Sequence, residues 1–66
     1  MRNSLKIERA AKKLTQDELA KLIGVSRQSI NSIETGRYIP STVLALKISE
    51  VFGKPVNEIF ELEDFD

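Results

Sequence analysis

The 66-residue sequence has no cysteine, which excludes disulfide staples, thiol chemistry and cysteine-based zinc sites. It has no histidine either, and so lacks the commonest general base and the commonest transition-metal ligand. Asp and Glu are present, but no pair of carboxylates converges on an evident cleft, so an enzyme is not expected. Neither is a metal, a cofactor or a small-molecule ligand. The longest apolar run, Val43-Leu44-Ala45-Leu46, is far shorter than the ~20 residues of a membrane span. No signal-peptide pattern stands at the N-terminus, so the expectation is a soluble cytoplasmic protein with no membrane partner. Net charge is lacking as well: ten Lys and Arg balance ten Asp and Glu, with a pI of about 6.2. Taken whole, that balance argues against a nucleic-acid partner, because such domains are usually basic.

What is present is an ordinary globular composition, 41% apolar, in one small domain spanning residues 1–66. A chain of this size buries only about 60% of its unfolded surface. Without metal or disulfide, tight helix packing or oligomerisation must supply the rest of its stability. The zero charge also conceals a division. Residues 1–40 carry eight basic and four acidic groups, whereas residues 41–66 carry two basic and six acidic groups. A balance of +4 followed by −4 points to a polyanion-facing first part.

Gly24, Gly36 and Gly53 each stand where an apolar helical period stops, as left-handed C-terminal caps do. Pro40 and Pro55 follow shortly after and keep the helix from resuming. Helix 1 is expected over Leu5 to Lys13, with Ile7, Ala10, Ala11 and Leu14 inward and its cap at Asn3 or Ser4. Helix 2 opens on a Thr15/Glu18 capping box, with Leu14 placed to staple onto Leu19, and lines its inner side with Leu19, Ala20, Leu22 and Ile23. Helix 3 opens on Ser26 and turns Ser29, Ile30 and Ile33 inward. Helix 4 runs from Ser41 to Phe52 and is apolar enough to be the central core helix. Helix 5 follows Pro55, and the loosely alternating tail suits a short strand.

Helices 2 and 3, joined by the turn Gly24-Val25-Ser26, form a helix-turn-helix over about residues 15–35. Arg27, Gln28, Asn31, Ser32 and Thr35 share one outward arc of helix 3 that is polar and free of acids. Arginine pairs bidentately with guanine, and glutamine or asparagine with adenine, so Arg27, Gln28, Asn31 and Ser32 are candidate base contacts. Gln16, Ser26, Arg37 and Tyr38 are candidate phosphate contacts at the helix 2 head and the ends of helix 3. Tyr38 is equally placed to be a core residue with its hydroxyl at the rim. Lys12, Lys13 and Lys21 read as general surface charge. Glu34 flanks the arc, where a free carboxylate would repel DNA, so an ion pair with Arg9 is expected.

Thr15-Gln16-Asp17-Glu18-Leu19-Ala20, Gly24-Val25-Ser26-Arg27-Gln28-Ser29-Ile30 and Ile33-Glu34-Thr35-Gly36 together resemble the Cro/C1-type (XRE-like) helix-turn-helix family. The resemblance continues through Tyr38-Ile39-Pro40-Ser41 and Leu44-Ala45-Leu46-Lys47-Ile48 to Ile59-Phe60. It is nearest to short stand-alone members such as the cytolysin-operon repressor. It implies an all-α, five-helix, lambda-repressor-like DNA-binding domain that acts as a homodimeric repressor. A small ribbon between Met1–Asn3 and about Phe60–Glu63 is implied too. The family's phosphate-contacting glutamine corresponds to Gln16, its base-reading positions to Arg27, Gln28 and Ser32 with Asn31 nearby, and its Arg–Glu pair to Arg9 and Glu34. Phage members often carry several basic residues after helix 3. This chain has only Arg37 there, which leaves phosphate clamping to be shared with Tyr38 and Ser41.

The expected function is a sequence-specific, double-stranded-DNA-binding transcriptional regulator, a repressor acting as a symmetric dimer. Two recognition helices would meet a pseudo-palindrome about 34 Å apart. The dimer surface is expected within about residues 50–66, on Val56, Phe60, Leu62 and Phe65. The rival reading is an antitoxin-like or adaptor module that uses the same fold to bind a protein, which the acidic tail would suit. With no sequence left over for a sensing module, regulation would come through dimerisation, concentration or a partner protein.

Overall fold

The computed structural model describes residues 1–66, built from five short helices and one small ribbon. In chain order these are β1 (Arg2–Asn3), α1 (Leu5–Ala11), α2 (Gln16–Ile23), α3 (Arg27–Glu34), α4 (Thr42–Phe52), α5 (Val56–Ile59) and β2 (Phe60–Glu61). No helix is long and apolar enough to cross a membrane.

Local chemistry sets most of the helix boundaries. Thr15 accepts from the Glu18 N–H at 3.0 Å while the Glu18 carboxylate accepts from the Thr15 N–H at 2.9 Å, a complete capping box. Ser26 accepts from Ser29 N–H and Ser41 from Leu44 N–H, each satisfying a first-turn donor that has no partner within its helix. Gly24 ends α2 at φ 75°, and the Val25 N–H donates back to the Ala20 carbonyl at 3.0 Å. A Cβ at Gly24 would meet no atom within 4 Å. Its constraint is therefore the left-handed backbone alone, which costs an L-residue about 1–2 kcal/mol.

All five helices and β2 feed one apolar core of eleven buried side chains. Leu5 enters from α1, Leu19 and Ile23 from α2, Ile30 and Ile33 from α3, and Ile59 from α5. Helix α4 contributes Leu44, Ile48 and Phe52, spaced four apart along a single stripe. The ribbon is antiparallel, pairing Arg2 with Glu61 and Asn3 with Phe60, and an Arg2–Glu61 ion pair spans it. Asn3 joins three elements. Its Oδ1 accepts from the Leu5 N–H at 3.1 Å, and its Nδ2 donates to the Ile33 carbonyl at 2.9 Å. Ser4 occupies the N-cap position of α1 but makes no capping bond with its side chain.

The inner face of α1 differs from the one its hydropathy suggests. Ile7 is 70% exposed, and Ala10 and Ala11 are exposed as well, while Leu5, Glu8 and Arg9 turn inward. Periodicity misleads here because two of these inward positions are charged, and each finds its counterion on another element. Glu8 accepts from Lys54 Nζ at 2.8 Å, which raises the pKa of the ammonium. Arg9 makes a forked pair with Glu34, through Nε to Oε2 at 2.8 Å and Nη2 to Oε1 at 3.2 Å. Its remaining arm, Nη1, donates to the Leu14 carbonyl at 2.8 Å. The helix also ends two residues early, because Lys13 adopts a left-handed φ of 56° without being glycine. Leu22, expected inside, is exposed, and so are Val43 and Leu46 of α4.

The Arg9 and Glu34 side chains are only 16% and 5% exposed, so removing one partner strands a charge in a poorly solvated site. Glu34→Leu should destabilise the protein by about 3 kcal/mol in urea unfolding. Arg9→Met combined with Glu34→Leu should recover most of that loss; a double variant as unstable as the sum of its parts would contradict the pairing. Acid should weaken the α2 start as well. The Thr15 backbone N–H, and then its hydroxyl, hold the Glu18 carboxyl below its ordinary value of 4.5. A depressed folded pKa gives a contribution that is full above the unfolded value and lost as pH falls through the folded one. Glu18→Ala should therefore flatten the loss of melting temperature on acidification below 4.5 relative to the parent chain.

Candidate nucleic-acid interface

The turn at Gly24 sets α2 against α3, and the buried stripes of Leu19–Ile23 and Ile30–Ile33 leave the opposite arc of α3 in solvent. Arg27, Gln28, Asn31 and Thr35 are exposed on that arc, and Ser32 is half-buried beside them. Two adjoining polar hollows flank α3. The first is walled by Gln16, Ser26, Arg27, Gln28 and Asn31, with no apolar residue among them. The second is walled by Ser26, Gln28, Ser29, Ser32 and Tyr38. Gln28 and Ser26 border both.

Gln16 opens α2 and is half-buried. Its Nε2 donates to Asn31 Oδ1 at 3.2 Å and to Glu34 Oε1 at 3.1 Å, bringing the head of α2 onto the flank of α3. Arg37 and Tyr38 follow α3, and both of their backbone N–H groups donate to the Ser32 carbonyl, at 2.9 and 3.2 Å. This holds the Tyr38 ring at the rim of the second hollow, half in solvent, rather than in the core. Arg37 is exposed and lines neither hollow. Ser29, which the sequence pattern turns inward, is half-buried and lines the second hollow, with its Oγ 3.0 Å from that of Ser26. The signal for this was the Ser26-x-x-Ser29 spacing, which puts two hydroxyls on one turn.

Ion pairing sharpens the charge division. Each of the four acids in residues 1–40 is engaged: Glu8 with Lys54, Asp17 with Lys21, Glu34 with Arg9, and Glu18 in its capping box. Arg27 and Arg37 belong to none of the ion pairs. The polar arc therefore carries uncompensated positive charge although the chain as a whole is neutral. Uncompensated arginines beside hydrogen-bonding amides and hydroxyls suit an anionic ligand that also presents donors and acceptors.

A second surface feature is apolar. Of the residues expected at a subunit interface, Leu62 and Phe65 are 76% and 79% exposed and Val56 is half-buried. Phe60 has to be reassigned. It is only 6% exposed because β2 folds back on β1 and turns this ring into the chain's own core. Another apolar surface lies just upstream, where Ile39, Val43 and Leu46 are exposed and a groove is lined by Met1, Ile39, Pro40, Ala45, Leu46, Val56 and an edge of the otherwise buried Phe60. The sequence carried a trace of it, because Val43 and Leu46 lie off the Leu44–Ile48–Phe52 stripe.

Comparison with known proteins agrees with this geometry. A helix-turn-helix family model matches residues 5–59. An HTH-type transcriptional regulator of Methanocaldococcus jannaschii is 53% identical over 64 residues, covering 97% of both chains. One from Bacillus subtilis is 41% identical over 64 residues with the same coverage. Among solved structures, the restriction-modification controller protein C.AhdI of Aeromonas hydrophila superposes with a TM-score of 0.77 at 34% identity, covering 85% of each chain. The SOS-response repressor LexA of Eubacterium rectale superposes with a TM-score of 0.80 at 29% identity, covering 94% of this chain and 66% of its own. These relatives are two transcriptional regulators, a controller protein and a transcriptional repressor. The five-helix fold, the uncharged balance hiding a positive arc, and the matches over nearly the whole chain converge: the protein belongs to the XRE-type (Cro/C1-type) helix-turn-helix family of DNA-binding transcriptional regulators.

Proposed function

We propose that the protein is a sequence-specific repressor that binds a pseudo-palindromic operator as a homodimer. The observation that carries this reading is the α3 arc, where Gln28 and Ser32 stand clear of free acids beside the uncompensated arginines Arg27 and Arg37. The N-terminal turn of α3 would enter the major groove, with Arg27 positioned for a guanine edge and Gln28 for an adenine edge. The Gln28 side chain makes no hydrogen bond within the chain, so its amide is free for bidentate readout. Gln16 at the head of α2, with Ser26, Arg37 and Tyr38, would hold the flanking phosphates.

Dimerisation would use the apolar face of Ile39, Val43 and Leu46 with the groove that ends at Val56. Exposed contiguous apolar surface beside a groove is characteristic of an interface, and a two-fold axis would bury the same face on both copies. Leu62 and Phe65 on the exposed tail would extend it. The dimer also answers the small core of a chain this short. The region from about residue 50 onward would then contribute only part of the interface, with the rest coming from Ile39 and the first half of α4.

Gln28→Ala should lose about 1–3 kcal/mol on the cognate duplex and almost nothing on random duplex; equal loss on both would remove it as a base reader. Arg37→Ala should weaken binding to all sequences alike and reduce the salt dependence by about one unit of slope. Titrating labelled duplex at two salt concentrations separates a DNA binder from an antitoxin-like or adaptor module, which would bind at neither. Leu46→Glu should convert the dimer to monomers in sedimentation equilibrium while keeping the helical melting transition. A dimer that persists in this variant would place the interface elsewhere.

A further inference from the structure

A glutamine side chain has two N–H donors and one carbonyl acceptor. In Gln16 both donors are committed, one to Asn31 Oδ1 at 3.2 Å and the other to Glu34 Oε1 at 3.1 Å. The Glu34 bond is part-buried and backed by the Arg9 fork, whereas the Asn31 bond lies at the surface of α3. The same bond constrains Asn31. Reading adenine takes an amide oxygen and an amide nitrogen together, one for the N6 amino group and one for N7. The bond to Gln16 engages one lone pair of Oδ1 and ties the Asn31 amide to the head of α2, away from the free orientation a bidentate base contact needs. Its Nδ2 donors make no bond within the chain. Such unengaged donors match phosphate oxygens, which only accept. Gln28, on the same arc, has neither amide atom engaged.

We infer that Asn31 is a positioning residue of the backbone clamp, holding Gln16 at the head of α2 through the Oδ1–Nε2 bond, and not a reader of bases. The inference rests on the DNA-binding reading above. It divides the α3 arc in two: Gln28, Arg27 and Ser32 face base edges, while Asn31 and Gln16 act as one unit on the sugar–phosphate backbone. A phosphate at the α2 head would share, in a three-centre bond, the Gln16 Nε2–H given to Asn31, and Asn31 Nδ2 would stand beside it as a second donor. The grip on the backbone and the seating of α3 are then set by one contact.

The test is a double-mutant cycle with the full chain on a selected operator duplex and on random duplex, using Asn31→Ala, Gln16→Ala and the pair. Asn31→Ala should weaken binding to both duplexes by the same factor, roughly tenfold for a hydrogen bond to a charged group. The base preference at every operator position should stay unchanged. In the Gln16→Ala background the same substitution should cost less than about threefold, because the unit is already broken. In the free protein, Asn31→Ala should shift the Gln16 side-chain amide resonances while the melting temperature stays within a few degrees of the parent, a combination that general destabilisation would not produce. Loss of preference at one base pair with random binding preserved would overturn the inference, as would full additivity of the two substitutions or an unmoved Gln16 amide resonance. A parent protein that binds neither duplex at low salt overturns the DNA reading instead, so the two failures are distinguishable.

Discussion

The Arg9 guanidinium divides its donors between the Glu34 carboxylate at the end of α3 and the Leu14 carbonyl just before α2, and much of the arrangement depends on that fork. Two helices joined by a short turn are free to splay at the end away from the turn. Here the turn end is closed by the left-handed backbone of Gly24 and the open end by Glu34, which accepts from Arg9 and from Gln16 together. Both ends being held, the angle between α2 and α3 is set by hydrogen bonds as well as by packing. Apolar contact alone is non-directional and would leave it softer. The fork also neutralises the one carboxylate that flanks the polar arc.

The same economy shows in the distribution of charge. Pairing every acid of the first forty residues within the fold leaves Arg27 and Arg37 as uncompensated cations at and just beyond α3. A neutral chain can in this way present a positive face, because the acids that balance it lie mainly in α4, α5 and the tail. The apolar side chains follow a similar logic. A single stripe of α4, flanked by the half-buried Ala45 and Val51, serves the core, so Val43 and Leu46 remain on the surface.

Much of the fold was legible in the chain because its signals are local. The Thr15/Glu18 box, the Ser26 and Ser41 caps and the glycine stops at Gly24 and Gly53 act within a turn of their own position, and each appears where the residue types place it. The polar arc of α3 was legible for a related reason: a 3.6-residue period assigns faces once a helix has begun. The errors fell where a distant partner decides. Hydropathy turned Ile7 inward and gave Glu8 no place there, since no pattern within α1 reveals that Lys54 awaits that charge. The Arg9–Glu34 pair, by contrast, was legible because a free carboxylate beside the polar arc needs a partner. Hydropathy likewise put Phe60 at a subunit surface, although the return of β2 onto β1 folds that ring into the core.

By itself, then, the sequence determined the number and order of helices, their starts and stops, and which residues of α3 share a face, because capping and periodicity operate over three or four residues. The tertiary structure alone decided which of those polar residues are free and which are already engaged. Gln28 and Asn31 are both exposed amides on one arc, yet only Asn31 meets Gln16, fifteen positions away in the chain. That distinction depends on how closely the head of α2 approaches α3, and the approach is set by a bond between Arg9 and Glu34 that no local window contains.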